Sequence, residues 1–167
     1  GLQAMGVRPD HVVSWQLPTT VESCVLMAAL CRLGVRQNPI IPILRRAEVS
    51  LITRQVGSRW LFVPGTSRGF DFVAMANESV EPGVCTVVDV TTYGGDAELS
   101  LPRADPATLP AATDPGDDVR WYYYSSGTTA TPKGAMHTDA SAMASSDAQI
   151  TYIGLQPDDM IAVPFPM

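Results

Sequence analysis

The sequence predicts an α/β fold, a largely parallel sheet flanked by helices. Three observations point to it. Short apolar runs alternate with helical patterns through the first 90 residues, and the helical patterns stop at glycines while the apolar runs stop at prolines. The chain has 167 residues, 46% of them hydrophobic and 17% charged, so it can bury roughly 70% of its unfolded surface without a metal or disulfide staple. That balance excludes disorder, collagen and coiled coil.

His11 to Leu17 is a short apolar run closed by Pro18, and reads as a strand. From Thr20 to about Leu33 a helical pattern follows and stops at Gly34. Thr20 can cap it, Glu22 sits in its first turn, and Val25, Leu26, Ala29, Leu30 and Leu33 form its apolar face. The grammar then repeats. Val35 to Ile41 is extended, Arg46 to Val56 is an amphipathic helix ended by Gly57, and Trp60 to Val63 is a strand closed by Pro64. Phe70 to Asn77 reads as a helix and Cys85 to Val88 as a strand. Val119 to Tyr124 is rich in β-formers, and Thr138 to about Ile153 is a helix that Thr138 can cap. Gly1 to Gly6 looks like the tail of a helix, and Ile161 to Met167 like an apolar strand, so both ends are expected to cut through structure.

The charge is 11 Lys+Arg against 17 Asp+Glu, net −6, unevenly spread. Residues 71–118 carry ten acidic side chains and one basic one, together with Pro102, Pro106, Pro110 and Pro115, a composition expected of a solvated surface connection. The arginines of the first 70 residues are scattered singly except Arg45 and Arg46, without interleaved aromatics, which argues against a nucleic-acid partner. The longest apolar stretch, Val25 to Cys31, has seven residues, far short of the roughly 20 that cross a bilayer. No transmembrane segment is expected, nothing marks the chain for export, and the sequence predicts a cytoplasmic protein.

Cys24, Cys31 and Cys85 are expected to be buried thiols. The first two are seven residues apart on one helix, about 10 Å along its axis, too far for a disulfide. His11 and His137 stand alone, so no structural metal is expected.

One polar segment carries chemistry. Ser125 to Gly134 (SSGTTATPKG) has five hydroxyls, two glycines, a proline and the chain's one lysine, Lys133, among ten arginines. Glycine lets backbone N–H groups approach an anion, hydroxyls donate without adding charge, and lysine supplies a mobile positive point. The same composition also suits an ordinary Ser/Thr/Gly turn. Lys133 lies between Pro132 and Gly134, which excludes the Walker phosphate loop. Neither Ser125 nor Ser126 has the upstream glycine of a hydrolase elbow, and Ala130 stands where the β-lactamase pattern needs serine.

As a whole string, Tyr124 to Gly134 (YSSGTTATPKG) resembles the signature loop of the adenylate-forming superfamily, to which acyl-coenzyme A synthetases, luciferases and peptide-synthetase adenylation domains belong. Ala130 stands where that loop usually has glycine, and Asp139 where a histidine usually follows, next to His137 and Thr138. The flanks resemble the family too: Gly6 to Val13, Leu26 to Arg32 with Gly34-Val35 and Asn38-Pro39, Glu48 with Leu51-Ile52, and Pro157-Asp158-Asp159 before Ile161 to Pro166.

The resemblance implies that residues 1–167 are part of the large N-terminal AMP-binding domain, truncated at both ends, with the C-terminal domain and its catalytic lysine absent. It implies an enzyme that joins a carboxylic acid to ATP as acyl-adenylate and then passes the acyl group to coenzyme A. Ser125, Ser126, Gly127, Thr128, Thr129 and Lys133 would hold the β- and γ-phosphates, with Mg²⁺ bridging them and its protein ligand outside this chain. No catalytic residue is expected within it, and alone it is expected to be inactive. A luciferase-like or peptide-synthetase relative, or a non-catalytic nucleotide-binding module, are the alternatives. The acid and the oligomeric state leave no signal.

Overall fold

In the computed structural model, residues 1–90, 104–109, 111–112, 116–125 and 132–162 are described. The elements run α1 (Leu2–Met5), β1 (Val12–Trp15), α2 (Val21–Arg32), β2 (Arg36–Pro39), α3 (Arg46–Val56), β3 (Trp60–Val63), β4 (Thr66–Ser67), β5 (Phe70–Asp71), α4 (Phe72–Ser79) and β6 (Thr86–Asp89). A 3₁₀ turn at Pro106–Thr108, β7 (Val119–Ser125), β8 (Lys133–Thr138) and α5 (Asp139–Ile153) complete them.

Six strands form one sheet in the order β6-β3-β1-β2-β7-β8. Every pair is parallel except β7 with β8. The chain steps from β1 to β2 and then back across β1 to β3. Right-handed crossovers in opposite directions put their helices on opposite faces of the sheet, and the core divides accordingly. Leu26 and Leu30 of α2 pack with Val13, Trp15 and Phe62. Val49 and Ile52 of α3 pack with Leu61, Val63 and Met75. Strand β3 feeds alternate residues to the two layers, as its unbroken apolar run requires.

The caps explain where the helices start and stop. Thr20 caps α2 through the Ser23 amide, with Ser23 Oγ returning to the Thr20 amide. Glu48 reaches back to the Arg45 amide at 3.2 Å, and α3 ends at Gly57, whose φ of 65° is cheap only for glycine. Asp71 caps α4 through the Ala74 amide at 2.9 Å.

The Asn-Pro pair of β2 acquires a structural role. Asn38 is fully buried and donates to Ser14 Oγ at 2.7 Å, and Ser14 in turn bonds Ser58 Oγ, so side chains lace β2 to β1 and to the turn before β3. Gln16, also buried, donates from Nε2 to the Ile41 and Leu44 carbonyls at 3.1 and 3.0 Å. It ties the end of β1 to the loop that leaves β2 for the opposite face.

Four expectations need correction. Val25 does not belong to the buried face of α2: it is 52% exposed, because it lies about 100° around the helix from Leu26, which does face the sheet. The same rotation carries Cys31 away from Leu30, and Cys31 is exposed, while Cys24 and Cys85 are half-buried; all three are free. The α4 helix begins at Phe72, since Phe70 and Asp71 pair with Thr66 and Ser67 in a small antiparallel ribbon. Ile161 and Ala162 lie outside any strand; the remainder of that expected strand lies outside the described residues.

Candidate functional site

The polar segment joins two antiparallel strands. Strand β7 is built of β-formers and is parallel to β2, with Gln37 level with Trp121; β8 returns beside it as the outer strand. Ser125 therefore stands at the carboxyl edge of the parallel strands, where the loops of open α/β sheets gather ligands.

Of the six residues predicted to hold phosphates, the structure brings two together. Ser125 and Lys133 are direct cross-strand partners at the mouth of the hairpin, and both are exposed. Ser126, Gly127, Thr128 and Thr129 lie outside the described residues.

The hairpin is held from both faces of the sheet. On one face Trp121 donates its indole N–H to Asp139 Oδ1 at 2.7 Å and stacks on Tyr123, with ring centres 5.9 Å apart and planes 6° from parallel. Tyr123 and His137 pack edge to face with ring centres 5.7 Å apart, and His137 Nδ1 lies 3.2 Å from Ser141 Oγ. On the other face Tyr124, partly buried against the α3–α4 layer, donates to Gln55 Oε1 at 3.0 Å. Burial first, and then the neighbouring Tyr122, push the Tyr124 phenol up from its usual range, so it remains a neutral donor at ordinary pH. At the base, Arg120 Nη1 donates to the Gly34 carbonyl, fastening the start of β7 to the turn before β2.

Gly134 owes its identity to this packing. A Cβ there would lie 2.8 Å from Tyr124 Cζ and 3.0 Å from Cε2. An aromatic ring laid over a cross-strand glycine is a recurrent way to fix strand register. The glycine after the lysine thus admits a ring of the opposite strand.

Strand β8 is what the sequence reading missed. Pro132 and Gly134 disguise its start, and Lys133 to Thr138 lacks a clean two-residue alternation. Its presence has a consequence. Helix α5, capped by Thr138 through the Ser141 amide at 3.0 Å, begins about 17 Å along β8 from Lys133, too far for its N-terminal dipole to act at the loop mouth.

The sequence pattern of the AMP-binding enzyme family matches residues 1–167. The chain belongs to the AMP-binding enzyme family. It is 31% identical over 166 residues to the long-chain-fatty-acid–CoA ligase FadD13 of Mycobacterium tuberculosis, covering 99% of this chain and 32% of that protein. It is 27% identical to the medium-chain fatty-acid–CoA ligase of Escherichia coli, covering 98% of this chain and 30% of that one. Among solved structures it resembles the N-terminal domain of FACL13 from Mycobacterium tuberculosis, with 28% identity, a TM-score of 0.77, and coverage of 99% of this chain and 40% of that one. This AMP-binding chain thus spans about a third of the length of the curated relatives it matches. Among its described residues no helix is long and apolar enough to cross a membrane.

Proposed function

We infer that the chain is part of the N-terminal domain of an ATP-dependent carboxylate–CoA ligase, and that its share of the work is to hold the β- and γ-phosphates. The carboxylate oxygen attacks the α-phosphorus and the bond to the β-phosphate oxygen breaks, releasing pyrophosphate. The coenzyme A thiol then attacks the acyl carbon and AMP leaves. The residues of this chain serve the first step, by balancing charge that develops on the departing pyrophosphate.

The observation that carries the reading is the pairing of Ser125 with Lys133 across the mouth of the hairpin that bears the hydroxyl- and glycine-rich segment. A hydroxyl and an ammonium on adjacent strands, 4.5–5.5 Å apart at Cβ in such pairs, can approach neighbouring oxygens of one polyphosphate. Ser126, Gly127, Thr128 and Thr129 are assigned with them, as amide and hydroxyl donors. Mg²⁺ in nucleotide sites is usually held by one or two carboxylates together with the substrate's phosphates, and its protein ligand is assigned outside residues 1–167. Residues 1–167 are assigned to a longer chain because the ligases they match are about three times as long.

The test separates the half-reactions in the native full-length chain. Lys133→Ala is expected to slow exchange of labelled pyrophosphate into ATP at least tenfold, and to affect transfer from preformed acyl-adenylate to coenzyme A much less. Equal loss in both would mean a folding defect and remove the assignment.

A further inference from the structure

The hairpin mouth has a support that lies outside the polar segment. Tyr124 immediately precedes Ser125, and its ring covers Gly134, which immediately follows Lys133. The residue next to Ser125 therefore packs its ring on the residue next to Lys133. Among the described residues strand β8 has a sheet neighbour on one side only, and side-chain contacts such as this one help to hold it at this end. The ring itself is fixed at its far end by the 3.0 Å hydrogen bond to Gln55, 69 residues away in sequence. Gln55 is on the last turn of α3, a helix anchored in the core by Val49 and Ile52, both fully buried. The contact thus runs from a rigid helix, through one phenol, to the spacing of Ser125 and Lys133.

We propose that Gln55 is a positioning residue for the phosphate site: by holding the Tyr124 ring against Gly134, it sets the separation of Ser125 and Lys133 on the two strands. This rests on the phosphate-holding role assigned above and adds a residue on another element to it. Gln55 is exposed and its side chain accepts from Tyr124, so the route proposed to the mouth is through that ring. Because Gln55 supplies an acceptor, glutamate can replace it and leucine cannot.

The experiment measures inorganic pyrophosphate binding by titration calorimetry in the native full-length chain, with the thermal midpoint of each variant alongside. Gln55→Leu and Tyr124→Phe are each expected to weaken binding about fivefold, the worth of one hydrogen bond. The double variant should lose no more than either single one, since both remove the same bond, and Gln55→Glu should restore most of the affinity. The KM for ATP should rise in parallel. Unchanged affinity in Gln55→Leu and Tyr124→Phe, or losses that add in the double variant, overturn the inference while a deficient Lys133→Ala leaves the phosphate site standing. Pyrophosphate affinity that survives Lys133→Ala overturns the phosphate site instead, and the inference with it.

Discussion

Trp121 and Asp139 are joined by an indole-to-carboxylate hydrogen bond of 2.7 Å, which ties the middle of β7 to the first residue of α5. Trp121 is buried, and a buried indole N–H needs an acceptor. Asp139 serves as one from a helix position where a negative charge is also favourable. The bond lies where the β7–β8 register shifts between Val119 and Trp121. It locks the hairpin at its base, as Tyr124 does near its mouth.

Removing that acceptor should be felt as stability. Asp139→Ala leaves the Trp121 N–H without its partner and is expected to cost about 1–3 kcal/mol, read as a lower urea midpoint. Asp139→Asn keeps an acceptor and should lose less. Equal losses would show that the helix charge, and not the Trp121 bond, is what matters.

Gly134→Ala places a methyl group against the Tyr124 ring. Crowding of this kind typically costs 1–3 kcal/mol. The loss should shrink when Tyr124→Ser is combined with it, because the smaller side chain vacates the space. A loss of the same size in the double variant would locate the strain in the backbone.

Alkaline pH should weaken the fold through Cys85. Burial pushes its thiol up from 9.0 to about 11, so between those values the unfolded chain has released a proton that the folded chain retains. Stability is then full below about pH 9 and falls as pH rises towards 11. Burial raises Tyr123 and Tyr124 as well, in the same sense. Urea midpoints at pH 8 and pH 10.5 should therefore differ, and by less in Cys85→Ala. An unchanged difference in that variant would assign the effect to Tyr123, Tyr124 and Cys31, whose thiol burial also pushes up.

Much of the sheet was legible because each unit carries its own punctuation. Thr20, Gly34, Gly57 and Pro64 mark boundaries by local chemistry, and the structure places α2, α3 and β3 within a few residues of those marks. What depends on distant partners was not legible. The outward turn of Val25 and Cys31 is decided by which face of α2 meets Val13 and Trp15. The ribbon of β4 and β5 is two residues per strand, too short for a periodic signal. Strand β8 forms because β7 offers it an edge, and the Tyr124–Gln55 bond joins residues 69 apart. The site was readable as a string, Tyr124 to Gly134; that its ends face each other across two strands was not.

The native polypeptide containing the Lys133 peptide should be several times heavier than 17.9 kDa, in keeping with relatives of which this chain spans about a third. Blotting and mass spectrometry from source cells measure this. A native mass of 17.9 kDa would remove the ligase reading and favour a nucleotide-binding module.

The most direct measurement is the affinity of the native full-length chain for ATP and for inorganic pyrophosphate, with and without Lys133. Loss of one charged hydrogen-bonding partner corresponds to about 10- to 100-fold weaker binding, and Lys133→Ala should show that loss for both ligands with an unchanged thermal midpoint. Equal affinity in the wild type and Lys133→Ala would contradict the assignment of this hairpin as the phosphate site.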